Sequence, residues 1–341
     1  MTNIKKIGLS ALAGTLAMTS AYAGAVSVTG SMEVTYTRGS GYQVDGNPLG
    51  QANDLTITGS TELDNGVTVA YKNTTTDALA HSDSELVFGN ILGGGTIAMT
   101  STGSPLSAID DVTPNAFHEA TGQVGSIQDV NGSDGTYGVR YTLSDVAGSG
   151  VKFDYMYYPQ HGSGDATGDQ ATSGQNAIYT NKDGHEITLT GNIPGVEGLS
   201  AGIGYAILNY DLKAAGDQQD QEEATAYLKY AIGPVTVGAQ LGGVSEQCLG
   251  NTTYRNQYLG ISYAVSDDLS LSYNRVESLK GAGEGRRVSG GEGREQTWDS
   301  IAMSYSMGGM TINISDSDCS NCSYTAARSI DETTISLSVA F

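Results

Sequence analysis

Apolar and polar side chains alternate with a period of two through nearly the whole chain beyond its amino-terminal leader, and few folds tolerate that pattern. Val26, Val28, Met32, Val34 and Tyr36 fall on one face of an extended segment, and Ser27, Thr29, Ser31, Glu33 and Thr35 on the other. Leu55, Ile57 and Leu63 oppose Thr56, Thr58 and Glu62 in the next segment. Asp64-Asn65-Gly66 then supplies the positive-φ residues of a tight hairpin, after which Val67, Val69 and Tyr71 resume the apolar face. A helix repeats every 3.6 residues and a strand every two, so these are strands.

Sixteen such segments are predicted, beginning near Val26, Asp54, Val67, Asp83, Gly95, Gly135, Val151, His185, Leu199, Glu222, Val235, Tyr254, Leu269, Gln296, Met310 and Ile330. The number is even, as closure of a bacterial barrel requires. Short connections (64–66, 90–94, 144–150, 193–198, 231–234, 264–268 and 307–309) alternate with longer ones (39–53, 74–82, 102–134, 159–184, 209–221, 245–253, 277–295 and 317–329). In an up-and-down barrel every second connection lies on the same rim, so one rim should carry turns and the other loops. The expected fold is an all-β, closed, antiparallel transmembrane barrel.

A soluble sandwich would also alternate, so lipid has to be argued separately. Sandwich strands are about five or six residues long, whereas many of these run to about eight to eleven, near the length of a tilted spanning strand. Tyr141, Tyr230, Tyr263 and Tyr305 precede short turns, and Tyr36, Tyr157, Tyr205 and Tyr273 lie toward the loops. That placement predicts two aromatic girdles at the headgroups. The opposite face is built of Thr, Ser, Asn and Gly with ionised groups including Lys72, Arg140, Lys152, Asp154 and Lys229. Burying these dry is costly, so water is expected to fill the interior.

Lys5 and Lys6 precede an apolar run from Ile7 to Ser20 and then Ala21-Tyr22-Ala23, the order of a secretory signal peptide with an A-x-A cleavage site. The run is shorter than the roughly twenty residues of a spanning helix. Residues 1–23 are therefore expected to be a leader and 24–341 a single barrel. The formal net charge of −21 makes nucleic acid an improbable partner, because phosphate binding needs clustered positive charge. Twenty tyrosines and 47 glycines do not suit a disordered acidic tail. Cys248, Cys319 and Cys322 leave open a bridge between Cys319 and Cys322 or from either to Cys248.

Several apparent motifs fail on context. Gly198-Leu199-Ser200-Ala201-Gly202 fits G-x-S-x-G, but a nucleophile elbow needs a strand-to-helix turn, and here a strand continues. Asp129, Asn131 and Asp134 offer oxygens without EF-hand spacing or its final Glu, so a solvated loop is preferred to calcium. Cys319-Ser320-Asn321-Cys322 is half a zinc site with no second half, and His81, His118, His161 and His185 are scattered. Arg286 and Arg287 read as a solvated rim pair. No metal, cofactor or catalytic group is expected, and the chain is not expected to be an enzyme.

The Ala-Tyr-Ala leader, the sixteen strands, the long loop after the fifth and the closing strand Thr333, Ile335, Leu337, Val339 and Phe341 together resemble the Gram-negative general diffusion porins. The hairpin from Ser60 through Asp64-Asn65-Gly66 to Tyr71 also resembles a recurrent turn of that family. The resemblance implies a homotrimer in the bacterial outer membrane, in contact with lipid and lipopolysaccharide, that passes small hydrophilic solutes and ions. It implies that Phe341 is part of the signal read by the barrel-insertion machinery. It also implies that the loop 102–134 folds inward to narrow the channel, bringing Asp110, Asp111, Glu119, Asp129 and Asp134 to the constriction. Arg38, Lys72, Arg140, Lys152 and Lys229 would answer from the facing wall, giving a transverse field and a lumen that prefers cations. A substrate-selective porin of the same fold is the nearest alternative.

Overall fold

The computed structural model describes residues 26–41, 47–121, 127–162, 179–212, 220–246, 252–282 and 293–341. The expected leader, residues 1–23, and Cys248, Arg286 and Arg287 lie outside them. Sixteen strands follow in chain order: β1 Val26–Ser40, β2 Leu49–Glu62, β3 Thr68–Thr76, β4 Ala80–Ile91, β5 Gly95–Thr100, β6 Gly138–Leu143, β7 Val151–Tyr158, β8 Tyr179–Asn192, β9 Leu199–Leu212, β10 Gln221–Ile232, β11 Val235–Glu246, β12 Thr252–Ala264, β13 Leu269–Ala282, β14 Arg294–Met307, β15 Met310–Ser320 and β16 Ser329–Ala340. Each pairs antiparallel with its neighbours in sequence, and β1 pairs with β16, so the sheet closes into a barrel with no free edge. The seam is completed beyond β16, where the Phe341 N–H donates to the Gly30 carbonyl (2.9 Å) and the Gly30 N–H to the Phe341 carbonyl (2.8 Å).

All sixteen predicted segments are strands and the longest connections share one rim, but the predicted 74–82 loop shrinks to residues 77–79, shorter than several turns of the other rim, because β3 and β4 go on pairing through Thr76 and Ala80. Three strands begin at least three residues earlier than the sequence pattern indicated, β2 at Leu49, β4 at Ala80 and β8 at Tyr179, while β6 begins later, at Gly138. Strand pairing carries β2 and β8 up through polar residues that show no alternation, because a partner strand satisfies the backbone whatever the side chain. The predicted 64–66 turn is present, the Gly66 N–H donating to the Leu63 carbonyl (2.8 Å), but of its three residues Gly66 alone has positive φ (+81°).

Register assigns every side chain a face. Tyr36 pairs with Ile335 and Val34 with Leu337, and Leu228, Leu241, Leu259 and Ile301 stand 56–64% exposed on the outside. An outward row of apolar side chains around a closed sheet matches the lipid-facing band of a membrane barrel. Tyr230, Tyr263 and Tyr305 project outward above the short turns, and Tyr36, Tyr157, Tyr205 and Tyr273 outward toward the loops, forming the two girdles. Among the described residues no helix is long and apolar enough to cross a membrane.

Candidate functional site

The interior is set by the connection between β5 and β6, whose described residues, 101–121 and 127–137, pack on the inner wall from β8 to β16. Its docking surface is a pair of register rows. The first runs Tyr258, Val276, Trp298, Cys319 and Ile330, directly paired inward positions on β12 to β16, none more than 8% exposed. Ala120 and Ile127, one from each limb of the loop, pack on this row. The second comprises Ala206, Val244 and Tyr254 on β9, β11 and β12, covered by Leu106 and Val130. Full burial of a Leu or Val side chain contributes about 1.5–3 kcal/mol, so these contacts favour a docked loop over a solvated one.

Polar wall groups hold the loop backbone between the apolar contacts. Glu186 on β8 accepts from the Ser133 N–H through Oε1 (2.8 Å), and from the Ser104 hydroxyl (2.6 Å) and the Leu106 N–H (3.2 Å) through Oε2. Glu223 on β10 accepts the N–H groups of Asn131 (2.7 Å) and Gly132 (2.8 Å) through Oε2. Gly132 sits at φ +57°, and a Cβ there would lie 2.0 Å from Glu186 Oε1, so the approach requires glycine. Farther along, Gln240 on β11 accepts the Val112 N–H (2.9 Å) and donates to the carbonyls of Ile109 (2.8 Å) and Asp110 (2.6 Å). On β13, the Asn274 amide donates to the Pro114 carbonyl (3.0 Å) and Ser272 Oγ accepts the Ala116 N–H (2.8 Å).

The predicted acidic residues have distinct placements. Asp111 is buried and ties the loop to itself, its Oδ1 accepting the Thr113 N–H (2.9 Å) and hydroxyl (2.6 Å). Asp129 faces the wall, accepting the Tyr258 hydroxyl at 2.5 Å. Asp110 and Glu119 are half-buried, and Asp134 is exposed. Burial pushes the Asp110 carboxyl up to about 6 against the hydrogen bond from the Asp111 N–H, and Glu119 up to about 7 with help from the charges of Asp111 and Asp110. Asp129 rises to about 8 through burial, in spite of the Tyr258 bond. Among the described residues no group of His, Cys, Asp and Glu is arranged to hold a metal ion.

Of the five basic residues, four point inward. Lys72 on β3 pairs with Asp83 (3.3 Å), Lys152 on β7 with Asp154 (2.8 Å), and Lys229 on β10 stands 6.0 Å from the centre of the Tyr227 ring. Arg140 on β6 binds Glu85 (2.6 Å) and the Gly103 carbonyl (2.7 Å), so it also anchors the root of the loop. Arg38 departs from the expectation: it pairs with Thr333 on the face of Tyr36 and Ile335, outside the barrel. Strand parity dictates this, because Arg38 shares the even positions of Val34 and Tyr36. The interior also departs from the uniformly wet one expected, since the rows beneath the loop are dry. Sequence reasoning missed Glu186, Glu223 and Gln240. Their inward parity was legible, but nothing local marks an inward residue as one that a distant loop will cover.

A sequence profile described as Gram-negative porin matches residues 8–313. No curated protein matches the sequence. Among solved structures, the chain is similar to an anion-selective porin from Comamonas acidovorans (13% identity, TM-score 0.62, covering 93% of this chain and 99% of that one). It is similar to OmpF of Salmonella typhi (13%, TM-score 0.62, 93% and 97%) and to a trimer form of OmpT of Vibrio cholerae (10%, TM-score 0.64, 94% and 100%). At such identities these likenesses concern the fold.

Proposed function

The chain belongs to the Gram-negative porin family, an outer-membrane diffusion channel, and from that premise we propose that its lumen prefers cations, with Asp110 and Glu119 the acidic groups that face the passing solute. The observation that carries this reading is the pairing of the opposite wall. Lys72, Arg140 and Lys152 each lie beside a carboxylate of their own wall, which leaves little free positive charge to offset the loop. The remaining predicted acids, Asp111, Asp129 and Asp134, and the inward Lys229 add to the field of the lumen.

The permeant species are small hydrophilic solutes and ions, and the assembly is a homotrimer. The trimer form of the similarly folded OmpT supports the second point. Cleavage after residue 23, contact with lipopolysaccharide and recognition of Phe341 by the insertion machinery complete the proposal.

Reconstitution into a planar bilayer tests the selectivity. Under a potassium chloride gradient at low salt the reversal potential should favour potassium, and Asp110→Asn with Glu119→Gln should move it toward zero. An unchanged potential in that double variant would remove both residues from the conduction path.

A further inference from the structure

The last loop, residues 321–328 between β15 and β16, also folds inward, and it touches the constriction loop rather than the wall alone. Cys319 and Cys322 are disulfide-bonded and both buried. Cys319 is a member of the first docking row, so the bridge places Cys322 in the same dry cluster as Ala120 and Ile127. Two residues on, Tyr324 packs against the second cluster, which contains Leu106 and Val130. Its oxygen lies 2.7 Å from Ser278 Oγ, and its carbonyl accepts Arg294 Nη1 at 2.9 Å. Lys280 Nζ stands 5.7 Å from the centres of both the Tyr254 and Tyr324 rings. The last loop therefore shares a dry cluster with each limb of the constriction loop, and Tyr324 is hydrogen-bonded to the Gln128 backbone of the return limb.

The backbone conformation of this loop would not persist unaided. Asn321, Ser323, Tyr324 and Ala327 all have φ between +53° and +59°, and none is glycine. Each such residue costs on the order of 1–2 kcal/mol in the left-handed region, so the surroundings must impose the turn. Asn321 contributes by accepting the Ala327 N–H (3.1 Å) and donating to the Glu295 carbonyl (3.1 Å). The covalent tie is the bridge, whose persistence suits an oxidising cell-surface location.

We propose that the Cys319–Cys322 bridge and Tyr324 form a clip that positions the return limb of the constriction loop, residues 127–131, and so sets the size limit of the pore. Both are positioning residues, acting on solutes through the loop they hold. The inference rests on the channel reading. Without the clip, Cys322 and Tyr324 leave the two clusters, water reaches Ile127 and Val130, and the return limb gains freedom to move in the lumen.

The test uses the full chain, Cys319→Ser with Cys322→Ser, and separately Tyr324→Ala, each in planar bilayers and in liposomes. The expected result is channels with noisier open current, a larger exclusion limit for neutral sugars, and red-shifted emission from Trp298, the single tryptophan, which shares the row with Cys319. Wild-type noise, exclusion limit and emission in both variants would overturn the clip. If the cysteine variant does not insert, Tyr324→Ala, which keeps the bridge, decides by the same three readouts. A wild-type protein that makes no channel at all would instead overturn the channel reading.

Discussion

The inner wall of this barrel is two surfaces made from one pattern. On β1 to β4 inward side chains such as Glu33, Thr35, Lys72 and Asp83 are partly exposed, and charges pair sideways along the wall. On β8 to β16 the inward positions include Trp298, Val276 and Tyr258, fully buried, with Glu186 and Glu223 bound to the backbone of a loop that begins between β5 and β6. Parity is the same on both sides. What separates them is the path of the loop, which converts one side of an aqueous tube into a protein core and leaves the pore to the other side.

The sharpest way to break the contrast is to empty the dry side. Trp298→Ala should lower stability by about 3–5 kcal/mol, because a large buried ring leaves a cavity, and urea unfolding in detergent micelles would read the loss. Glu186→Ala should follow, at about 1–3 kcal/mol in all, the cost of donors left unpaired where water does not reach them. Its accompanying sign is a red shift of Trp298 emission as the loop lifts, and an unshifted spectrum would mean that Glu186 does not hold it.

A pH titration sharpens the comparison without mutation. The carboxyls of Asp110, Glu119 and Asp129 stand at about 6, 7 and 8, so cation preference should climb as the pH rises from about 6 to 8 and fall away below that window. Because the undocked carboxyls would ionise in the ordinary range near 4, loop docking should weaken as the pH climbs from about 4 and the loss should be complete by about 8. A reversal potential independent of pH there would refute the assignment. The smallest effect is expected on the wet side: Lys72→Ala removes a pair whose lysine is 43% exposed, and should change stability by about 0–1 kcal/mol in the same unfolding assay.

The constriction loop shows how far local pattern reaches. Its length and its acidic residues were visible in the chain, and so was the inward direction of Lys72, Arg140, Lys152 and Lys229. The error on Arg38 was avoidable, since the alternation that places Tyr36 outward places Arg38 there too. The division among the acids, with Asp111 turned on Thr113 and Asp129 on Tyr258, was not legible, because each partner choice depends on how the loop lies. The cysteine pairing likewise remained open among three residues until β15 and the turn after it brought Cys319 and Cys322 together.

Strand number, the face of each side chain and the difference between the two rims followed from the sequence, because the pleat repeats every two residues and a tight turn is chosen by the residues within it. Which inward residues are dry, which carboxylates hold the loop and where the pore runs were decided only by the closed barrel. Ring closure brings β5 and β6 within a loop's reach of β13, and no local pattern encodes a contact made across the width of the tube.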